Sequence, residues 1–482
     1  MLQRILHPHS CPWEGEGCAT MAVRVAVVGG GAAGMATASR VKKLLGDRAE
    51  VTVFEKGSWV SFALCGTPYY LGCRVPTLDM LVHYPLEEFT RRRGINVKLK
   101  TIVTEVDPGT RQLRYRSLVT GEEGVYEYDY LVLATGARPR APGEWLRYRN
   151  VYTLHSLGDA DRLRATVVRN DVKRVVVIGG GYTGVEAAEN LARLGRRVIL
   201  IHSGKWLLNK MLDHDMAGEL MERAQNAGIE LVLGHRVIDI EGAGDIAASV
   251  LLDNGERIDG DVFLAASGIE PNTTLAKQMG LKIGETGAVW TNERMETSIK
   301  DVYAVGDVAE TRDLVTGGRV WWPFATVANK MGFVAGTNIA GGDAVFPGVV
   351  RTSAMGAFGL YVAATGLNEE EARLHGFDAV AVKVKAPTKA RYMDEPGEIL
   401  LKVVADAETG KLLGAQAVSS DPSGFWRVNV IASLIWRDAT VWDLFSVDVG
   451  YWPGLNPVWD PLTIAARLFF RELGAKTLDS QD

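Results

Sequence analysis

The chain has 482 residues, 47% hydrophobic and 23% charged, with a formal net charge of −5. Such a length holds more than one domain, and the near balance of charge argues against nucleic acid or an anionic membrane surface as a partner. No apolar run approaches the ~20 residues that span a bilayer. Residues 1–20 carry His7, Pro8, His9 and Pro12 and lack the apolar core of a signal peptide. They read as a disordered tail, or as an upstream start before Met21. The four cysteines, Cys11, Cys18, Cys65 and Cys73, do not supply a disulfide scaffold and fit a reducing cytoplasm. Cys11, Cys18, His7 and His9 lack a second ligand pair at zinc spacing, so no metal site is expected.

Residues 22–28 read as a buried strand. Gly29-Gly30-Gly31-Ala32-Ala33-Gly34 follows, then a helix over 35–45 and a second strand over 51–54 that ends at Glu55 and Lys56. Strand, glycine turn, helix and terminal acid together form a nucleotide-binding βαβ unit. Gly29, Gly31, Ala33 and Gly34 let the backbone approach a pyrophosphate at the helix N-terminus, where free N–H groups favour an anion. Glu55 is placed to accept hydrogen bonds from ribose hydroxyls. Next comes Ser61-Phe62-Ala63-Leu64-Cys65-Gly66-Thr67-Pro68-Tyr69-Tyr70. A thiol just beyond a nucleotide motif can pass electrons between a redox cofactor and an external sulfur compound. Gly66-Thr67-Pro68 resembles a helix start, which would lower the thiol pKa.

Residues 131–137 look like a strand running into a sharp turn through Ala134, Thr135 and Gly136. The βαβ pattern then repeats: a strand over 174–178, Gly179-Gly180-Gly181-Tyr182-Thr183-Gly184, a helix over 185–194 and a strand over 198–201. Two units imply two bound nucleotides. This second strand ends at His202-Ser203, followed by Lys205. Without an acid there to repel a 2′-phosphate, both NADPH and NADH should be accepted, with NADPH at least competitive. Residues 297–307 read as a strand ending at Gly306 and Asp307, placed to bind a ribityl or phosphate-side hydroxyl. From about Gly342 the texture changes to an α+β region without a glycine motif. It has strands over 398–404 and 413–418 and a helix over 428–436. Trp426, Trp436, Trp442, Trp452 and Trp459 gather there, as core or dimer contacts.

These motifs resemble the pyridine nucleotide-disulfide oxidoreductases, and within them the coenzyme A-disulfide reductase and NADH oxidase branch, over residues 22 to about 470. Beside the cysteine segment and the second glycine motif, the resemblance rests on Ala328-Asn329-Lys330, Ala364-Thr365-Gly366-Leu367-Asn368-Glu369 and Tyr451-Trp452-Pro453-Gly454-Leu455-Asn456-Pro457. It implies an α/β fold with an FAD domain (21–138 and 269–343) interrupted by an NAD(P)H domain (139–268). An α+β dimerisation domain (344–482) follows. It also implies FAD and NADPH or NADH as cofactors, a homodimer, and a small disulfide or persulfide substrate, possibly one based on coenzyme A. FAD then falls to Gly29, Gly31, Ala33, Gly34, Glu55, Lys56, Ala134, Thr135, Gly136, Asp307 and Ala325. NAD(P)H falls to Gly179, Gly181, Tyr182, Gly184, Glu186, His202, Ser203, Lys205 and Gly268.

Cys65 has no partner at C-x-x-x-x-C spacing, and no histidine follows His375. Both points separate the chain from the dithiol reductases and make Cys65 the single redox thiol. Ala32 stands where peroxidases of the branch carry histidine. Leu64 replaces an asparagine, and Glu88 a lysine, of the coenzyme A-disulfide reductases. Arg40, Lys43, Ser61 and Asn329 match substrate positions, and Tyr392 and Tyr451 match tyrosines that reach the partner subunit's active site as proton donors. Oxygen reduction is the alternative within the branch. An electron-transfer or signalling flavoprotein is the alternative class, and would need no cysteine at position 65.

Overall fold

The computed structural model describes residues 22–474; the expectations for residues 1–20, Cys11 and Cys18 among them, lie outside the described residues. The first glycine motif joins strand Val23–Val28 to helix Ala32–Leu45, and Ala49–Phe54 returns parallel to the first strand. The helix begins inside the motif, ahead of the expected 35. Gly31 caps it in an extended conformation, and the Met35 N–H already bonds the Gly31 carbonyl.

Five parallel strands form the first sheet, in the order Val302–Ala304, Tyr130–Leu133, Val23–Val28, Ala49–Phe54, Asn96–Lys98. The chain leaves this sheet after Tyr130–Leu133 and returns to it at Val302–Ala304. Between those points lies a second five-stranded parallel sheet, ordered Ile229–Leu233, Arg197–His202, Arg174–Ile178, Val262–Ala265, Val151–Tyr152. Helix Tyr182–Arg193 follows its central strand, again starting within the glycine motif. Both central strands are continuous apolar runs because helices and loops cover both faces.

The expected strand over 297–307 is real only at Val302–Ala304. Thr297 turns the residues before it: its hydroxyl donates to the Val302 carbonyl (2.9 Å) and accepts from the Ile299 N–H (3.2 Å), while Asp301 takes φ 64°. Helix Ala325–Ile339 then packs on Ala32–Leu45 through small residues. A Cβ on Gly332 would stand 2.4 Å from the Ala33 carbonyl oxygen, so the two backbones nearly touch. Gly306, at φ 73°, would bring a Cβ within 2.8 Å of that of Ala33 and so carries Asp307 against the first helix.

The last region is one antiparallel sheet, ordered Ser353–Ala357, Leu360–Gly366, Leu412–Ser419, Glu398–Asp406, Ala379–Pro387. Helices Ser423–Ile435 and Pro461–Glu472 share a core with it through Leu401, Val403, Val428, Ile431 and Phe469. Of the expected core or dimer contacts, Trp426, Trp436, Trp442, Trp452 and Trp459 are all exposed, as are Leu455 and Val458, which leaves the contact reading. Among the described residues no helix is long and apolar enough to cross a membrane.

Candidate active site

Each glycine motif is built by contact, and the two are built alike. Gly29 has φ 114°, and a Cβ on it would lie 2.1 Å from the Ala134 carbonyl oxygen; Gly179 has φ 121° and would meet the Ala266 oxygen at 2.2 Å. Gly34 and Gly184 would drive a Cβ to 2.0 and 1.8 Å from the carbonyl oxygens of Gly29 and Gly179. Only glycine lets strand, turn and helix close this tightly. By contrast, Gly31 and Gly181 face open space, and each caps a long helix with no side-chain acceptor on its first N–H groups. The uncapped N–H groups and open space of each such cradle are what an anion such as a pyrophosphate requires.

The surroundings of the first cradle fit FAD. Glu55 is 8% exposed and accepts from the Gly30 N–H (2.7 Å) and the Gly57 N–H (2.6 Å), which fixes it at the end of its strand. Lys56 beside it is exposed. The Thr135 hydroxyl donates to the Asn272 carbonyl (2.8 Å), and the Asn272 N–H donates to the Gly136 carbonyl, so Ala134, Thr135 and Gly136 are pinned to the returning chain. Burial alone pushes the Asp307 carboxyl up to about 6, as expected of an acid placed to accept from a ligand hydroxyl and lacking a cation partner. Ala325, exposed, opens a third helix without a side-chain cap.

In the second cradle, the Tyr182 hydroxyl donates to Ser353 (2.8 Å) on the first strand of the antiparallel sheet, and its ring meets Phe324 edge-on at 5.9 Å. Gly268, at φ 111°, faces open space. His202 lies against Gly180 and is hydrogen-bonded to Asn209 (3.1 Å). Burial pushes its imidazole below the usual histidine value. A neutral, already bonded ring is a weaker phosphate donor than the sequence suggested, which leaves the exposed Ser203 and Lys205 as the freer groups of this loop.

Cys65 sits in the 3₁₀ turn Leu64–Gly66, ahead of the five-residue helix Thr67–Leu71. Its side chain opens to solvent, yet the protein around it leaves an anion poorly hydrated. That loss of hydration raises the thiol above its ordinary value, and the charges of Glu186 and Asp307 add to the effect. So one expectation is corrected. The short helix does not lower the thiol pKa, because burial and two carboxylates outweigh it. The same Glu186 accepts from the Tyr69 hydroxyl (3.1 Å), and burial lifts its carboxyl to about 7. Tyr69 is lifted to about 12 by burial and by Glu186, and the Arg74 guanidinium lies over its ring at 4.9 Å. Sequence reasoning gave Tyr69 no role; nothing in the run 61–70 shows that it meets a glutamate far along the chain.

A pH dependence follows. The folded chain holds the Glu186 proton more tightly than the unfolded chain, whose value is near 4.5, so that part of stability is present below 4.5 and is lost as pH rises through about 7. Glu186→Gln removes the titration. Thermal unfolding across neutral pH should show the variant gaining on the wild type as pH rises, and a constant difference between the two would count against this placement.

The Tyr392 hydroxyl acts on Tyr451 and raises it above the ordinary tyrosine value. Backbone pairing of the Ala390 N–H with the Pro453 carbonyl (3.0 Å) brings the two segments together. Both tyrosines are exposed, on the surface that carries Trp426, Trp452 and Leu455.

A family model for pyridine nucleotide-disulphide oxidoreductases matches residues 23–332, and one for the dimerisation domain of that family matches 353–461. The chain belongs to the pyridine nucleotide-disulphide oxidoreductases. It is therefore an enzyme of the FAD- and NAD(P)H-dependent type, with the family's dimerisation domain at its C-terminal end. It is 43% identical to an NAD(P)H sulfur oxidoreductase (CoA-dependent) of Pyrococcus abyssi, over 92% of this chain and 97% of the relative. It is also 43% identical to an NAD(P)H coenzyme A polysulfide/persulfide reductase of Pyrococcus horikoshii, over 93% and 98%. Among solved structures, an NAD-dependent persulfide reductase from A. fulgidus superimposes with a TM-score of 0.89 at 37% identity, over 93% of this chain and 83% of that one.

In this oxidoreductase three of the four positions expected to meet substrate, Arg40, Lys43 and Asn329, fall on the two packed helices. Arg40 donates to the Thr337 hydroxyl (2.9 Å) and lies over the Phe333 ring at 4.1 Å, while Lys43 and Asn329 are exposed. Glu88, which replaces a lysine of the branch, pairs with Arg92 and Arg93, and Arg93 in turn reaches Ser39 (2.8 Å) on the first helix. Basic charge is thus kept beside Arg40 despite the acid. Ser61, at φ 53°, is held by the bond of its N–H to the Gly30 carbonyl (2.9 Å), which ties the cysteine segment to the first glycine motif.

Proposed function

We propose that this oxidoreductase uses NAD(P)H to reduce a coenzyme A persulfide, a polysulfide or coenzyme A disulfide through a mixed disulfide on Cys65. The observation that supports this most directly is the free thiol of Cys65, placed beside Glu186 and Asp307 and without a second cysteine at dithiol spacing. FAD, when bound, takes hydride from the nicotinamide and returns two electrons to sulfur. Cys65 acts as the nucleophile. Its thiolate attacks one sulfur of R–S–S–X, the S–S bond breaks, X–S⁻ leaves, and R–S stays joined to Cys65. The leaving sulfur takes a proton or a hydrogen bond from the Tyr392–Tyr451 pair, which we assign to the partner subunit's site. This makes the enzyme a homodimer whose exposed aromatic face is covered by a second copy.

In this reading the FAD unit comprises 21–138 and 269–343, the NAD(P)H unit 139–268 and the dimerisation unit 344–482. The free thiols fit a cytoplasmic enzyme. Turnover measured separately with coenzyme A persulfide, polysulfide, coenzyme A disulfide and oxygen tests the assignment. A sulfur acceptor should give the highest kcat/KM, and oxygen as the best acceptor would make the enzyme an oxidase instead.

Cofactor choice belongs to the loop after Arg197–His202. We assign NADPH a kcat/KM at least comparable with that of NADH, with Ser203 and Lys205 as donors to the 2′-phosphate. His202→Glu should cut kcat/KM for NADPH about tenfold and spare NADH, because the added carboxylate repels the 2′-phosphate. A strong NADH preference that the substitution leaves unchanged would mean that the loop does not read this phosphate.

A further inference from the structure

The loop that follows His202 is held both by its own bonds and by a second domain. It folds back over the second glycine motif, with the Leu208 N–H on the Gly180 carbonyl (2.9 Å), Leu208 at φ 56°, and Trp206 Nε1 on the Leu212 carbonyl (2.8 Å). It ends at Asp213, and there the C-terminal sheet takes hold of it. Lys402 and Gln416 are cross-strand neighbours in that sheet, and both are buried. Gln416 grips Asp213 at two points: Nε2 donates to Oδ2 (2.9 Å) and Oε1 accepts the Asp213 N–H (2.8 Å). Lys402 Nζ pairs with Asp213 (2.9 Å), Asp215 (3.0 Å) and Glu369 (2.8 Å). Lys383 on Asp215 and Arg373 on Glu369 complete a cluster of equal positive and negative charge.

A buried ammonium is costly unless paired. Here burial would push Lys402 down, but the three carboxylates outweigh it and raise it. The catalytic sequence proposed for Cys65 makes no use of this cluster. A buried cation that ties one domain's nucleotide loop to another domain's sheet does more than fill a core.

We infer that Lys402, with Gln416, is a positioning residue for pyridine nucleotide recognition: the dimerisation domain holds the 203–213 loop, through Asp213, in the shape that presents Ser203 and Lys205 to the nucleotide. The inference rests on the reading that this loop contacts the nucleotide.

The test uses full-length, FAD-loaded enzyme. Lys402→Met should raise KM for the preferred nucleotide roughly five- to tenfold and narrow the NADPH/NADH discrimination, the size expected when a coupled element loosens. Saturating kcat, FAD content and the titre of the Cys65 thiol should hold. Asp213→Asn, which leaves Lys402 two carboxylates, should show the same split and serves if Lys402→Met does not fold. The double variant should be no worse than either alone, because both cut one tie. A lower Tm with unchanged KM, or KM effects that simply add in the double variant, would overturn the inference. His202→Glu, run alongside, separates the two readings. If it shifts discrimination and Lys402→Met does not, the clamp alone fails; if neither shifts it, the reading of the loop fails and the clamp with it.

Discussion

Cys65→Ser should lower turnover of every sulfur acceptor by at least ~10³-fold, the scale on which losing a nucleophile is felt. FAD content and the rate of flavin reduction by NAD(P)H should not change. The two halves separate because the residues that build the cradles, Gly29, Gly34, Gly179 and Gly184, are held by backbone contacts that do not involve the thiol. A serine hydroxyl in the same turn cannot replace it. Its alkoxide is far less accessible than a thiolate, and the same poor hydration and the same Glu186 and Asp307 charges would oppose it. Cys73→Ser should leave turnover intact, since Cys73 is a free thiol at the far end of helix Thr67–Leu71. Rapid-mixing absorbance for the reductive half and steady-state assays for the oxidative half give both numbers. A Cys65→Ser enzyme that still reduces disulfides, or a Cys73→Ser enzyme that does not, would remove Cys65 from the centre of the chemistry.

The raised thiol also bears on when that chemistry runs. Repulsion from Glu186 weakens as its carboxyl takes up a proton below about 7. The thiolate at Cys65 therefore depends on a neighbour that titrates close to neutrality. The rate of alkylation of Cys65 against pH should deviate from a single titration for this reason, and the deviation should shrink in Glu186→Gln, leaving only the smaller influence of Asp307.

The parts of the fold fixed by short-range sterics were legible in the sequence. Two glycine runs, each between a β-branched strand and a helix, announce two nucleotide sites, because no other residue survives 2 Å from a carbonyl oxygen. Where the sequence misled, a side chain or a distant charge had overridden the local signal. Thr297 closes a turn in what read as one strand. The expected acidifying helix at Cys65 is outweighed, first by burial of the thiol and then by Glu186, remote in the chain. For the tryptophans the sequence left core and dimer contact open, and their exposure rules out only the core, a distinction that hydrophobicity alone does not make. Asp213, Glu369, Lys402 and Gln416 could not be assembled from the sequence, since they come from four separate elements and each alone is an ordinary polar residue.

Mixing inactive subunits should restore activity, and that is the sharpest test of where the proton donor comes from. Tyr451 and Tyr392 lie exposed on a face of the dimerisation domain that also carries Trp426 and Leu455. An exposed apolar surface of this kind marks an interface. If the tyrosines serve the partner's Cys65, a Cys65→Ser subunit paired with a Tyr451→Phe subunit contains one doubly altered site and one intact site. The mixed dimer should then recover about half of the wild-type turnover from two parents that each have little, as statistics of independent sites require. Co-expression with two affinity tags isolates the mixed species, and sedimentation confirms its mass. If instead each chain supplied its own tyrosine, the mixed dimer would hold one thiol-dead site and one donor-dead site, and activity would stay at the parental floor. A chain that sediments as a monomer and remains active would defeat the shared site altogether, and the aromatic face would then need another occupant.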